Sequence, residues 1–350
     1  MKTKQLKVDK SVDNLISCPQ IAEAAQLLLK NEVVAFPTET VYGLGGNAKN
    51  DEAISKIYQA KGRPSDNPLI IHIARRTQLD EFAASIPEEA ERLMDTFWPG
   101  SLSIIFPLKK GVISEKATAG LTSVAVRMPD HPVALAIIEK AGLPIAAPSA
   151  NASGKPSPTT AAHVWNDLQG KIAAIVDGGE TGVGVESTVI DCTGTIPTIL
   201  RPGGITKEQL EQVLGKVEMD IALHDQTKAP KAPGMKYRHY APNAPLYIVY
   251  GDKDFLQHLI TERKNEGKTV AVLTTEENKG YYSADAVYVC GKRSSLATVA
   301  HSLYSALRSF DNQAIDIIYS EAFPKTDVGA AIMNRLMKAA GQKVIIQENR

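Results

Sequence analysis

Apolar positions along the chain repeat with helical and strand-like periods in turn, and this alternation predicts a mixed α/β protein. In the first part we predict helices at residues 21–30, 53–60, 87–97, 131–141 and 161–168. Short apolar runs predict strands at residues 33–36, 69–73, 102–106, 124–128, 145–147, 174–177, 187–191 and 198–200. Several of these strands follow one another too closely for a crossover helix. We therefore expect a twisted mixed sheet, partly antiparallel, with helices packed on it.

After residue 244 the pattern becomes a regular alternation of strand and helix. Strands are predicted at residues 246–250, 270–273, 286–290 and 315–319, and helices at 254–265, 295–310 and 327–340. This alternation is typical of parallel βαβ units, so we expect a smaller Rossmann-like parallel α/β domain. Gly251 stands alone after the first strand, so the glycine fingerprint that would hold a pyrophosphate is missing.

The segment between these two patterns is rich in proline. Four prolines lie within residues 225–245, where they exclude a regular helix or a central strand. The chain is therefore divided into residues 1–215, a linker at 216–244, and residues 245–350. Tyr237, Arg238, His239 and Tyr240 follow one another in the linker, and a plain spacer does not need them. We expect this part of the linker to dock on something.

Charge and cysteine content exclude several broad classes of protein. The chain has 39 basic and 39 acidic side chains in 350 residues, and its three cysteines match neither a disulfide scaffold nor a zinc site. Basic and acidic residues number 21 and 24 in residues 1–215, 5 and 3 in the linker, and 13 and 12 in residues 245–350. No region is strongly basic, which argues against general nucleic-acid binding. We do not expect secretion or a membrane-spanning segment, and we expect a cytoplasmic location.

Four loops in the first part hold small, polar and basic residues that core packing does not require. Residues 36–46 are glycine-rich and could be a strand-to-helix turn or, more weakly, a dinucleotide loop. Residues 61–68 carry Lys61 and Arg63 and suit an anion, although a lone pair of cations is usually a solvated surface loop. Residues 147–158 offer hydroxyl and amide groups for phosphate oxygens. Residues 177–191 could close over a small ligand or form a hairpin turn.

Several catalytic motifs are absent from the sequence. There is no P-loop, no kinase loop set, no Gly-x-Ser-x-Gly elbow and no His-Glu-x-x-His. No side chain is an obvious covalent nucleophile. His72 lies inside an apolar run, where a histidine is usually a satisfied core residue.

Taken together and in this order, the loops resemble the YrdC-like threonylcarbamoyl-AMP synthases. The linker and the α/β tail are similar to the long, two-domain form of that family. The resemblance rests on Pro37-Thr-Glu-Thr-Val-Tyr-Gly-Leu-Gly45, Lys61-Gly-Arg-Pro64, Asn67-Pro-Leu69, His72, Phe97-Trp-Pro-Gly100, Arg127-Met-Pro129, Pro148-Ser-Ala-Asn-Ala-Ser-Gly154, Ser187-Thr-Val189 and Pro233-Gly-Met-Lys-Tyr-Arg-His-Tyr-Ala-Pro242.

The resemblance implies an activity and a set of site residues. The enzyme would join L-threonine, bicarbonate or CO2, and ATP with Mg2+ into threonylcarbamoyl-AMP and pyrophosphate, and it would use no metal ligand of its own. Threonine would be bound by Thr40, His72, Arg127, Ala147 through its backbone, and Ser187. ATP would be bound by Arg63, Asn67, Ser123, Ser149, Ser157, Arg201 and Tyr240. The catalytic set would be Lys61, Arg63, Ser149 and Asn151, with Lys61 and Asn151 completing the phosphate shell.

The resemblance also implies partners and leaves alternatives. A downstream transferase complex would pass the threonylcarbamoyl group to the adenosine beside a tRNA anticodon, and a weak direct contact with tRNA stays open. The linker around Tyr237–Tyr240 is a candidate lid over the unstable carbamate. Two other functions are weighed: an RNA-binding module, and a carbamoyl-adenylate synthase acting on another acceptor. A threonine methyl group contributes only about 1–3 kcal/mol of selectivity against serine.

Overall fold

A computed structural model of the chain describes residues 2–220 and 240–348. These residues divide into two compact units. The first unit comprises residues 2–153, 158–182 and 186–220. The second comprises residues 240–348 together with two short segments, 154–157 and 183–185.

The first unit is built on one mixed sheet, which has eleven strands among the described residues. Its strands, in chain order, are β1 Lys4–Lys7, β2 Val34–Phe36, β3 Gly43–Asn47, β4 Ile71–His72, β5 Leu102–Pro107, β6 Ser123–Arg127, β7 Ile145–Ala146, β8 Ala174–Asp177, β9 Thr188–Asp191, β10 Thr198–Arg201 and β11 Glu218–Met219. Across the sheet the strands follow the order β1-β8-β2-β3-β7-β4-β6-β5-β9-β10-β11. The predicted mixed sheet is confirmed.

The described residues of the first unit also form eight α-helices. They are α1 Pro19–Leu29, α2 Asp51–Lys61, α3 Leu79–Phe82, α4 Glu88–Phe97, α5 Glu115–Thr118, α6 Pro132–Ala141, α7 Ala161–Leu168 and α8 Lys207–Leu214. Helix α2 has clear boundary signals: Asn50 accepts a hydrogen bond from the Ala53 amide, and Gly62 ends the helix in the left-handed conformation. These signals fix Lys61 as the last helical residue.

The glycine-rich loop at residues 36–46 is a β-hairpin, so the strand-to-helix turn was wrong. Strands β2 and β3 pair antiparallel, with Phe36 opposite Gly43. Gly45 has an ordinary negative φ, but a Cβ there would lie 2.5 Å from the Phe36 ring. This glycine therefore permits close packing rather than an unusual turn.

The loop at residues 177–191 does not form a hairpin. It connects β8, which lies between β1 and β2, to β9, which lies between β5 and β10. The flanking strands are far apart in the sheet, so the hairpin alternative is excluded.

The second unit contains a five-stranded sheet in which every described pair of neighbouring strands is parallel. Its strands are β12 Leu246–Tyr250, β13 Val270–Thr274, β14 Ala286–Val289, β15 Ile317–Glu321 and β16 Val344–Ile346, in the order β14-β13-β15-β12-β16. Its helices are α9 Lys253–Asn265, α10 Leu296–Ser309 and α11 Val328–Ala339. The predicted parallel α/β domain is confirmed.

Two details of the second unit differ from prediction. Strand β15 begins two residues later than the apolar run suggested, and β16 was not predicted. Asp327 directly precedes α11, and its side chain makes no capping hydrogen bond. Within the described ranges, no helix has the length and apolar character needed to cross a bilayer.

Candidate active site

A row of buried polar side chains crosses one face of the first sheet. His72 on β4 is in register with Arg127 on β6, and side chains in register on adjacent strands share a face. Ser103 on β5 lies one position beyond the paired Ile104 and Val126, which places it opposite Arg127. Ser103 and Ser187 then meet through their hydroxyl oxygens, which are 2.8 Å apart. The sheet therefore brings residues from distant parts of the chain into one line.

Arg127 is the centre of a closely packed polar cluster. Its Nε donates to the Gly100 carbonyl at 3.1 Å, and its Nη1 donates to Thr40 Oγ1 at 2.8 Å. Its Nη2 lies 2.5 Å from Glu39 Oε1, in an ion pair whose side chains are only 5% and 14% exposed. The guanidinium is thus fixed in place, as recognition of a carboxylate requires.

The hairpin between β2 and β3 supplies the hydroxyl groups around this cluster. Thr38 Oγ1 donates to the Val41 carbonyl at 2.7 Å and lies 2.9 Å from Thr40 Oγ1. Because Thr40 Oγ1 accepts from Arg127, its own proton points to Thr38. The chain of hydrogen bonds runs in one direction, and it orients Thr40 toward the guanidinium.

His72 is held neutral beside this cation. Its Nδ1 lies 3.2 Å from the Ile70 carbonyl, so Nδ1 carries the proton and Nε2 is left as an acceptor. Burial, followed by the charge of Arg127, lowers the pKa of His72 to about 3. His72 is therefore a buried, hydrogen-bonded histidine, as predicted, but its ring also faces Arg127.

Arg201 on β10 extends the row at its other end. Its Nε and Nη2 donate to the Ser187 carbonyl at 3.1 and 2.9 Å, and Nη2 also donates to Ser187 Oγ at 3.1 Å. The loop after β10 packs so closely that a Cβ on Gly203 would lie 2.3 Å from the Glu186 carbonyl. Arg201 and Ser187 are therefore positioned by the same tight contact.

A small apolar cluster lies on the same face as the polar row. It consists of Ile70, Ile105, Ala125, Val189 and Leu200, and it is separate from the main core. Along β6, Ser123, Ala125 and Arg127 share this face because side chains alternate on a strand. At about 3.4 Å per residue, Ser123 and Arg127 are roughly 14 Å apart along the strand. The floor of the face is thus apolar in the middle and polar at both ends.

The Ser123 end of β6 borders a small pocket with a cavity volume of about 10 Å³. Residues from three chain segments line it: Pro68, Leu69, Ile105, Thr118, Leu121, Ser123, Val124 and Ala125. Asn67, which precedes this wall, is buried, and its Oδ1 has no hydrogen-bond partner among the described residues. Arg63 Nη2 donates to the carbonyls of Asn67 and Pro68, each at 3.2 Å. The structure therefore brings Arg63, Asn67 and Ser123 together.

Lys61 fastens the loop at residues 147–153. Its buried ammonium donates to the carbonyls of Ser149 and Asn151 at 2.5 and 2.7 Å, and to Asn151 Oδ1 at 3.3 Å. The loop also runs beside the hairpin, with Leu44 donating to the Pro148 carbonyl at 2.7 Å. Lys61 therefore positions the loop that carries Ser149 and Asn151. Its role toward phosphate stays a prediction.

Ala147 connects this loop to the polar row. Its amide donates to the Ile70 carbonyl at 3.0 Å, the same carbonyl that holds His72 Nδ1. The beginning of the loop is thus fixed against strand β4, one strand away from Arg127.

Comparison with known proteins identifies the family of this chain. Residues 26–203 match the family described as "Telomere recombination", and residues 205–341 match "Threonylcarbamoyl-AMP synthase, C-terminal domain". A Bacillus subtilis (strain 168) protein named threonylcarbamoyl-AMP synthase is 61% identical over 345 residues, covering 99% of this chain and 100% of that protein. The chain belongs to the threonylcarbamoyl-AMP synthase family.

Proteins from Pyrococcus abyssi are similar to this chain in both sequence and fold. A threonylcarbamoyl-AMP synthase of Pyrococcus abyssi is 49% identical over 331 residues, covering 93% of this chain and 95% of that protein. The crystal structure of Pyrococcus abyssi Sua5 complexed with L-threonine superimposes with a TM-score of 0.93 at 46% identity. The match covers 99% of this chain and 100% of that one, so the resemblance extends over both units.

Two residues that the family resemblance assigns to ATP lie in the second unit. Ser157 belongs to its segment 154–157, and Tyr240 stacks on Tyr304 with ring centroids 5.1 Å apart. Arg335 of α11 lies 5.8 Å from the Tyr240 ring centroid. Tyr237, Arg238 and His239, which form most of the candidate lid, lie outside the described residues. The role of that segment stays a prediction.

Sequence reasoning missed two members of the site. Glu39 is the only acidic residue in the quoted Pro37–Gly45 motif, and this is the signal that could have singled it out. Ser103 is a lone hydroxyl within the apolar run of β5, and only the pairing of β5 with β6 and β9 reveals its position. Both touch residues that the family resemblance did predict.

Proposed function

We propose that this chain makes threonylcarbamoyl-AMP and pyrophosphate from L-threonine, bicarbonate or CO2, and ATP. The observation that carries the proposal is strand β6, where one face has Arg127 at one end and Ser123 at the other. The roughly 14 Å between them suits an amino acid joined through a carbamoyl group to an adenosine monophosphate. The names and identities of the relatives support the same reaction.

The threonine end of the site lies around Arg127. Its guanidinium binds the substrate carboxylate, while the neutral His72 ring offers Nε2 as an acceptor for the substrate hydroxyl. Thr40, Ser187 and the Ala147 backbone complete this end. Every one of these residues is buried and oriented before substrate arrives, which reduces the entropic cost of binding.

The nucleotide end lies toward Ser123 and Asn67. The buried Asn67 Oδ1, which lacks a partner among the described residues, accepts a hydrogen bond from the nucleoside. Arg63, Arg201, Lys61, Ser149 and Asn151 stabilise the phosphates. Mg2+ enters bound to ATP, as part of that substrate.

The reaction requires positioning rather than a protein nucleophile. The threonine amine attacks CO2 and loses a proton, giving a carbamate. A carbamate oxygen then attacks the α-phosphorus, and the bond to the leaving pyrophosphate breaks. The protein aligns the two reacting groups and stabilises the negative charge that develops on the phosphate.

The chemistry of the product indicates that a transfer of the threonylcarbamoyl group follows this reaction. We propose that a tRNA threonylcarbamoyl transferase complex takes the product and modifies the adenosine next to the anticodon, in the cytoplasm. Direct contact with tRNA would be weak, because neither residues 1–215 nor residues 245–350 are strongly basic. An RNA-binding module without catalysis would bind RNA with a steep dependence on salt, which this charge distribution does not favour.

The test is pyrophosphate release from ATP and bicarbonate with each amino acid in turn. We expect release with L-threonine, and at most weak release with L-serine, because the extra methyl contributes about 1–3 kcal/mol. Equal release with an unrelated acceptor would favour the carbamoyl-adenylate synthase of different specificity. No release with any amino acid, together with salt-sensitive RNA binding, would favour the RNA-binding module.

A further inference from the structure

Glu39 presents an unsatisfied carboxylate oxygen beside the site's central cation. Its Oε1 forms the ion pair with Arg127 and accepts a hydrogen bond from Ser101 Oγ at 3.2 Å. Its Oε2 is buried and has no hydrogen-bond partner within the described part of the chain. A buried carboxylate oxygen without a donor is costly, so its presence calls for a reason.

Structural support for Arg127 does not require the second oxygen. Arg127 is already held by the Gly100 carbonyl through Nε and by Thr40 through Nη1, and Glu39 Oε1 alone completes the ion pair. An amide or a hydroxyl could satisfy Nη2 without burying a full negative charge. The carboxylate is therefore better explained by a group that comes and goes with substrate.

The chemistry of that group follows from the charges. Arg127 and Glu39 place a positive and a negative group side by side, in contact with each other. An amino acid is a zwitterion whose α-carboxylate and α-ammonium are likewise adjacent, with charges in the complementary order. A ligand bound with its carboxylate on Arg127 brings its ammonium toward the carboxylate of Glu39.

We propose that Glu39 binds the α-ammonium of the amino-acid substrate through Oε2. The inference rests on the proposed function, because it takes an amino acid as the ligand of Arg127. It assigns the hairpin residue between Thr38 and Thr40 to substrate recognition, and it makes the Arg127–Glu39 pair a recognition unit for a zwitterion.

The test compares two ligands on two proteins by calorimetric titration of the full chain. L-threonine has both charges, whereas 3-hydroxybutanoate keeps the carboxylate and hydroxyl but lacks the α-ammonium. Glu39→Gln keeps an oxygen for Arg127 and Ser101 while removing the negative charge. We expect Glu39→Gln to weaken the binding of L-threonine by at least about tenfold. The affinity for 3-hydroxybutanoate should stay within about threefold of the wild-type value, as expected when one charge-assisted hydrogen bond is lost.

Controls separate recognition from structural effects. Glu266→Gln removes an ion-paired carboxylate from an exposed helix end in the second unit, and it should change neither affinity. Ser101→Ala removes the neighbouring hydrogen bond but leaves the charge, so its effect on L-threonine should be smaller than that of Glu39→Gln. If Glu39→Gln does not fold, Glu39→Asp is the alternative, because it keeps the charge on a shorter side chain. It should still weaken the binding of L-threonine more than the binding of 3-hydroxybutanoate.

The outcomes distinguish this inference from the proposed function. Equal weakening of both ligands would mean that Glu39 only holds Arg127, and no weakening of either would mean that it does not contact the ligand; either result overturns the inference. Pyrophosphate release by the wild-type protein with L-threonine would leave the proposed function intact in both cases. Absence of that release would overturn the function itself, and the inference with it.

Discussion

Replacement of Arg127 tests the centre of the site most directly. Arg127→Ala removes three contacts at once: to the Gly100 carbonyl, to Thr40 Oγ1 and to Glu39 Oε1. It also leaves the Glu39 carboxylate nearly buried without its counter-ion. Arg127→Lys keeps a positive charge but loses the planar fork that can bind a carboxylate through two nitrogens.

The size of the effect can be worked from these contacts. Truncating one member of a buried, hydrogen-bonded charge pair between protein and ligand costs about 2–5 kcal/mol. We therefore expect the KM for L-threonine to rise by roughly 30-fold to a few thousand-fold in Arg127→Ala. The free energy of unfolding should fall as well, by up to about 3–5 kcal/mol, because Glu39 is left unpaired.

The assay is pyrophosphate release, with the KM for L-threonine and for ATP measured separately. We expect the KM for ATP to change far less, because Ser123 is at the other end of β6 and Asn67 lies next to the pocket at that end. Arg127→Lys should show an intermediate loss with a smaller effect on stability, and urea unfolding checks that both variants are folded. Equal increases in the two KM values, or an unchanged KM for L-threonine, would refute the placement of the carboxylate at Arg127.

Three further predictions address other parts of the chain. Arg63→Ala should abolish threonine-dependent pyrophosphate release while thermal unfolding stays cooperative; near-normal turnover would contradict the anion-loop assignment. The pKa of His72 is about 3 when folded and near 6.5 when unfolded, so protons favour the unfolded state below pH 6.5. The stability of the wild type relative to His72→Gln should thus fall by about 2 kcal/mol from pH 7 to 5 in urea titrations, and a pH-independent difference would argue against this. A chain ending at Gly215 should fold, since it loses only the exposed edge strand β11 from the first sheet, but be impaired in turnover; full activity would rule out the linker as a lid.

Local sequence signals predicted most of the helices and strands because their periodicity is produced by burial nearby. Helix α7 at Ala161–Leu168 and strand β8 at Ala174–Asp177 begin and end where the pattern predicted. Strand β1 was missed because it pairs in parallel with β8, about 170 residues later, and its sequence Lys-Gln-Leu-Lys has only one apolar residue. Strand β3 was missed because three of its five residues are glycines. Both depend on partners that periodicity cannot show.

The predicted site residues came from motif resemblance, whereas their relative positions came from strand register. Nothing in the spacing of His72 and Arg127 along the chain says that they face each other, because parallel pairing of β4 with β6 decides it. Lys61 was expected at the phosphates, and the structure shows in addition that it fastens the loop carrying Ser149 and Asn151. That second role depends on carbonyl groups, which have no signature in the sequence.

The buried polar row is expensive for a fold to maintain, and this cost supports a functional interpretation. Thr40, His72, Ser103, Arg127 and Ser187 are all nearly inaccessible to solvent on strands or turns whose opposite face is the main apolar core. Apolar residues at these positions would pack without desolvating hydroxyl, imidazole and guanidinium groups. The protein nevertheless holds the guanidinium with two hydrogen bonds and one ion pair, and burial lowers the pKa of the imidazole so that the ring stays neutral. Such a row is explained if part of its hydrogen-bonding capacity is reserved for a small polar ligand, and the unsatisfied Glu39 Oε2 identifies where an ammonium group would supply the missing donor.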